Sequence, residues 1–241
     1  MNIHSFLADD DQPRNQYQYV LNNTKKVKEN RKNDRSASTL GNNHLRSFAL
    51  KSAQQGDYTE AIALLTQLIY RHPHNAVDYN NRGLIYFQSG ERQKALYDYN
   101  TALRLDPYLA SAYNNRANYY AACGELATAL TDYDQAIDLN PRHVRAWINR
   151  GITCRDLGRY EEAIENFEVA HLFGQLEGHI WAERGRTYHL WGDWNCAIAD
   201  YRRALTQLPD LEITRDVTGS RLRLQIENWL NDLLSPKHPI W

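Results

Sequence analysis

The sequence predicts an all-α solenoid, an array of antiparallel helix pairs that recur along the chain. Three observations carry this reading. First, a skeleton of aromatic and small residues returns every 34 residues: Tyr113, Ala117, Tyr120, Gly124, Ala129, Tyr133, Ala136 and Pro141 correspond upstream to Tyr79, Gly83, Tyr86, Gly90, Ala95, Tyr99, Ala102 and Pro107. Downstream the same positions hold Trp147, Gly151, Cys154, Gly158, Ala163, Phe167 and Ala170, with Gln175 at the proline position. Second, glycine falls at one phase at Gly56, Gly90, Gly124, Gly158 and Gly192. At an average glycine usage of about 7%, that alignment is a chance event of about one in a million per frame. Third, the residues on either side of each glycine repeat at i, i+4 and i+7, the spacing of one helix face.

Each recurring position has a physical reason. The glycine supplies the left-handed residue that ends one helix and turns the chain. Small residues at 117 and 129 let two antiparallel helices approach closely, and the aromatics fill the space around them. Asp138-Leu139-Asn140-Pro141 closes the second helix, proline barring its continuation. A hairpin of this kind cannot bury its faces alone, so neighbours must stack.

Composition sets the outer bounds. The 241 residues are 42% hydrophobic and 24% charged with net charge −1, an ordinary globular composition. No apolar run is long enough to span a bilayer, and Asp9, Asp10 and Asp11 sit where a secretory signal would need an apolar core. The three cysteines, Cys123, Cys154 and Cys196, are far apart, which argues against a disulfide framework or zinc site and for a reduced, cytoplasmic setting. The balanced charge argues against nucleic acid as the partner.

Taken in order, residues 1–41 lie outside the repeat and read as a polar, poorly ordered leader, with a frayed helix over Tyr17 to Glu29 and a basic run from Lys25 to Arg35 diluted by Glu29 and Asp34. Five units follow at 42–75, 76–109, 110–143, 144–177 and 178–211. The first carries Ser52 and Leu65 where others have aromatics, which predicts weaker outer packing. The fourth lacks the proline and reads Phe173-Gly174-Gln175-Leu176-Glu177-Gly178, which predicts a looser or re-angled joint with the fifth. Residues 212–234 place Leu222, Ile226, Trp229 and Leu233 at helical spacing, a capping helix for the last hairpin. Residues 235–241 read as an extended tail, whose Trp241 either docks in a groove or stays free.

These residues resemble the tetratricopeptide repeat family, over 42–211, about seven tenths of the chain. The resemblance implies a right-handed superhelical solenoid of stacked antiparallel helix pairs whose first helices line a concave face. Numbering each unit from its first residue, positions 2, 6, 9 and 13 point away from the hairpin. Asparagine recurs at position 6, as Asn81, Asn115 and Asn149. An amide both donates and accepts, so it can pair with a partner's backbone without reading its sequence. Some family members hold peptides on such a ladder, and the resemblance implies the same here; the alternative is that these asparagines bond their own neighbours or water across an inter-repeat contact. Asn114 and Asn118 make the third unit the most amide-rich window, and Arg145, Ile152, Glu183 and Arg186 are the candidates for selectivity.

An arginine follows at position 7, as Arg82, Arg116, Arg150 and Arg184, and recurs with Asp98, Asp132 and Asp200, replaced by Asn166 in the fourth unit. A pair repeating with the period reads as structural. The family's carboxylate-gripping pattern finds no complete register: Leu50, Ser111 and Asn115 break it from the first unit, only Asn115 and Arg145 fit from the second, and His179 and Glu183 break it from the third. No phosphate loop, nucleophile elbow or metal-ligand helix is present, so no catalytic residue, metal or cofactor is expected; His72 and His74 flank a turn proline and Cys154 reads as buried filler. Trp191 is either covered by the cap or an exposed contact. The expected function is a protein-interaction scaffold or assembly adaptor that binds a partner segment in the groove. The alternatives are self-association through unit five, the cap and the tail, to a homo-oligomer, and, less well supported, RNA binding.

Overall fold

The computed structural model describes residues 35–208 and 217–235, and all of the secondary structure among them is helical. In chain order the helices are α1 (Arg35–Gln54), α2 (Tyr58–Arg71), α3 (Ala76–Gln88), α4 (Arg92–Leu105), α5 (Ala110–Ala122), α6 (Leu126–Leu139), α7 (Val144–Asp156), α8 (Tyr160–His171), α9 (Glu177–Trp191), α10 (Trp194–Gln207) and α11 (Val217–Leu234). The helix anticipated over 17–29, the basic run up to Asp34 and the tail beyond Ser235 lie outside the described residues.

The turns inside the hairpins are made in one way. Gly56, Gly90, Gly124, Gly158 and Gly192 have φ of 85°, 86°, 81°, 76° and 94°. In each case the residue after the glycine donates its N–H back to a carbonyl in the last turn of the first helix, as Glu125 does to Tyr120 at 2.9 Å and Arg159 to Cys154 at 2.9 Å. The glycine N–H closes the inner bond, to Ala121 at 3.1 Å and to Arg155 at 2.9 Å. Left-handed geometry satisfies the last carbonyls of the first helix and reverses the chain within a short turn.

The chain divides into two compact units, parted at Asp106 and Pro107. In the N-terminal one, α1 to α4 pack pairwise in sequence, with α1 also beside α3. Its core holds Ala49, Ala53, Ala61, Leu65, Leu68 and Ile85. α1 begins at Arg35, ahead of residue 42 where the repeat pattern starts. It is tied to α3 by Arg46, which donates to the fully buried Asp78 at 2.5 and 3.0 Å. Ser52, at an aromatic position of other units, is buried and donates to Glu60 at 3.0 Å.

In the C-terminal unit three hairpins, α5/α6, α7/α8 and α9/α10, stack in order, and α11 covers α10. The first helices α5, α7 and α9 lie side by side. Ala117, Ala129 and Tyr133 form the heart of the first hairpin. Close approach is strictest where the sequence has glycine: a Cβ on Gly151 would lie 2.9 Å from the Phe167 ring, and one on Gly185 2.8 Å from Tyr201. The cap buries Leu222, Ile226 and Leu233 with Tyr201, Ala204 and Leu208, and Trp229 stacks on Tyr201 with ring centroids 5.7 Å apart. Arg223 adds bonds to the carbonyls of Leu205 and Leu208 at 3.0 and 3.1 Å. Those carbonyls end α10 and have no helical donor of their own.

Between α8 and α9 no proline stops the chain. Instead Gly174 and Leu176 take φ of 63° and 56°, and α9 starts directly after the left-handed leucine. Gly178 is buried, where a Cβ would meet the Leu208 side chain at 3.0 Å.

Candidate partner-binding face

The face opposite each hairpin's packing surface is built from the first helices. In the C-terminal unit α5 contributes Asn115 and Asn118, α7 contributes Arg145 and Ile152, and α9 contributes Glu183 and Arg186, all half-buried. Asn81 takes the matching place on α3 in the N-terminal unit, also half-buried. Asn114 and Asn149 differ: they are 5% and 6% exposed. The Asn149 amide donates to Asn114 Oδ1 at 3.2 Å, from α7 to α5, and Asn114 donates to Asn115 Oδ1 at 3.3 Å. Asn149 therefore bonds across the contact between the third and fourth units, while the bond to Asn115 stays within α5. A buried amide bonded in this way is already satisfied.

The remaining face residues are held by partners the sequence did not point to. Tyr133, on the second helix, donates to Asn118 Oδ1 at 2.6 Å. Arg155 donates to Glu183 at 2.6 Å and lies 3.6 Å from Asp156. Burial raises the Asp156 carboxyl above the usual carboxylate range, against the opposing pull of Arg155. Arg186 stacks over the cap's Trp229 at 4.8 Å and reaches His189 Nδ1 at 3.3 Å. Periodicity singles out Tyr133 as core; that its hydroxyl reaches Asn118 has no signal in a hydrophobic pattern. Trp191 is 45% exposed, its ring 6.3 Å from Tyr160, so it is not covered by the cap.

The position-7 arginines are structural. Arg82 forks onto Asp98 at 2.7 and 2.8 Å, Arg116 onto Asp132 at 2.7 and 2.8 Å, and Arg184 onto Asp200 at 2.7 and 3.1 Å. Each pair lies within one hairpin, and the three aspartates are buried. Two-pronged geometry of this kind makes strong charge-assisted bonds. Where Asn166 replaces the acid, Arg150 keeps one bond to it at 3.1 Å and turns to Asp134 of the preceding hairpin at 2.7 Å and Glu162 at 3.0 Å. Cys154 beside it is fully buried, and burial, with Glu162 next, pushes its thiol up to about 12. A buried thiol of this kind packs as a small apolar group.

Among the described residues no group of His, Cys, Asp and Glu is arranged to hold a metal ion, and no helix is long and apolar enough to cross a membrane.

A chain of helical hairpins closed by left-handed glycines, with small-on-aromatic contacts inside each, defines a helix-pair repeat protein. The tetratricopeptide repeat family matches residues 49–75, 76–109 and 108–171, a contiguous half of the chain. The chain belongs to the tetratricopeptide repeat family. No curated protein matches it. Among solved structures it is similar to a thermophilic tetratricopeptide repeat protein of Thermus thermophilus, at 20% identity and TM-score 0.68, over 78% of this chain and 98% of that one. PilW, a widely conserved type IV pilus biogenesis factor, is similar at 19% identity and TM-score 0.65, over 79% and 92%. MamA is similar at 22% identity and TM-score 0.56, over 66% and 93%. These likenesses concern the fold. Membership of the family makes the chain, in general terms, a protein-interaction scaffold.

Proposed function

We propose that the chain, with repeat units bounded at 42, 76, 110, 144 and 178, is an assembly adaptor, and that the face of α5, α7 and α9 is a groove for an extended segment of a protein partner. The observation that carries this is the state of the face on α5, α7 and α9. Asn115, Asn118, Ile152, Glu183 and Arg186 are all part-exposed, and their polar members are fixed by bonds from beneath. A surface ordered before binding loses less entropy on binding. Asn114 and Asn149 hold α5 and α7 together behind that surface, so the contacts to a backbone fall to Asn115 and Asn118, with Asn81 in the equivalent place on α3. Arg145, Ile152, Glu183 and Arg186 set selectivity. The cytoplasm suits a chain with Cys123, Cys154 and Cys196 all unpaired.

A photo-crosslinking residue placed at Ile152 tests the reading against one at Glu165, on the exposed side of α8. Partner peptides should be captured from 152 and not from 165; equal capture from both sides would mean that the groove is not the binding face.

A second reading, self-association through the fifth hairpin and the cap, rests on Leu190 and Trp191 of α9 and Leu224 and Leu234 of α11, each 44–47% exposed. Light scattering before and after removal of 235–241 distinguishes it. RNA binding has less support, because Arg145 and Arg186 share the face with Asp156 and Glu183.

A further inference from the structure

The phase of the repeat matches position 9 of each first helix with position 24 of the second helix. In the third unit these are Asn118 and Tyr133, and the hydroxyl donates to the amide oxygen at 2.6 Å. In the fifth they are Arg186 and Tyr201, joined through His189, whose Nδ1 lies 3.3 Å from Arg186 and 3.2 Å from the Tyr201 hydroxyl. In the fourth they are Ile152 and Phe167, and no polar atom is present at either. The Phe167 ring is fully buried and sits against Gly151, next to Ile152. The first unit likewise matches Leu50 with Leu65. The second breaks the match. There Tyr99 stands with Leu84, is fully buried, and its hydroxyl has no hydrogen-bond partner among the described residues.

The physical ground for the match is the cost of a buried hydroxyl without a partner, which is the full desolvation of that group. A tyrosine at position 24 favours a polar position 9. A phenylalanine there gives a polar position 9 nothing to bond and favours an apolar one. We infer that the aromatic at position 24 fixes what each groove rung offers, so that the C-terminal unit selects an extended segment with an apolar side chain opposite Ile152 and an acidic one, one rung on, opposite Arg186. The acidic choice follows from charge: Arg186 has Trp229 and His189 as neighbours but no carboxylate partner among the described residues. Donors of its guanidinium remain uncommitted, and a carboxylate matches that fork best. With helices about 8–10 Å apart and about 3.3 Å per residue of extended chain, one rung corresponds to about three residues. This inference rests on the groove reading proposed above and gives that groove its sequence preference.

The test is selection from a library of random linear peptides on the full chain, compared with Ile152→Asn/Phe167→Tyr and with Arg186→Glu. The wild type should enrich peptides with an apolar residue about three positions from an acidic one. In the double variant the apolar preference should fall by about tenfold or more, and in Arg186→Glu the acidic preference should invert. Enrichment on the wild type with the apolar preference unchanged in the double variant overturns the inference and leaves the groove reading standing. No enrichment on the wild type overturns both. Should the double variant fail to fold, the reverse conversion, Asn118→Leu/Tyr133→Phe, takes its place and should turn an amide rung apolar. The coupling itself is also read without any peptide. Leu84→Asn should give the Tyr99 hydroxyl a partner and raise the melting temperature by about 2–4 °C; a drop or no change refutes the coupling.

Discussion

At the scale of single residues, the same residue type does different work according to what lies behind it. Asn115 is half-exposed, while Asn114 and Asn149 are buried and bonded to each other. Arg186 is half-buried and stacks over Trp229, whereas Arg116 forks onto a buried aspartate. The cost of removing Arg116 is therefore set by the aspartate it abandons. Arg116→Ala should destabilise the fold by about 3 kcal/mol, because Asp132 is left charged, buried and without its fork. A double-mutant cycle read by chemical denaturation should show Arg116 coupled to Asp132; a coupling near zero would remove the pair from any structural role. The corresponding fork on Asp98 comes from Arg82.

At the scale of elements, the joint between α8 and α9 departs from the array. Elsewhere among the described residues glycine supplies every left-handed residue; here Leu176 does so at φ 56°, and its side chain makes no capping bond to α9. A β-carbon in that conformation costs about 1–2 kcal/mol. Asparagine tolerates it better and also caps a helix start. Leu176→Asn should raise stability by about 1 kcal/mol, measured as a shift in denaturation midpoint at constant slope; a loss of stability would show that the leucine side chain contributes more by packing than its backbone costs. We propose that this joint opens more readily than the others, which hydrogen exchange across 172–178 checks directly. The missing proline is visible in the sequence as an irregularity. That the chain compensates by a left-handed leucine is not, because nothing local demands that conformation of a leucine.

At the scale of the whole molecule, a repeat array is stabilised by nearest-neighbour contacts, so damage at one end stays near that end. Ile226 is fully buried between the cap and the fifth hairpin, and cutting it to alanine should cost about 3 kcal/mol. With Ile226→Ala, amide exchange should accelerate in α9, α10 and α11 and stay near wild type in α1 to α4. Uniform acceleration along the chain would instead mark it as a single cooperative body.

The sequence by itself determined the period, the glycine turns, the inward faces and the cap, and with them the family. Those features arise from the backbone conformation of single residues and from helical spacing, both of which are local. Only the tertiary structure decided that Asn114 and Asn149 meet, that Arg150 reaches back to Asp134 when Asn166 fails it, and that Tyr133 bonds Asn118 from the second helix of its hairpin. Each of those contacts joins helices that are separate in the chain. Whether two such side chains meet depends on how closely and at what rotation the helices pack, and the repeat pattern does not encode that.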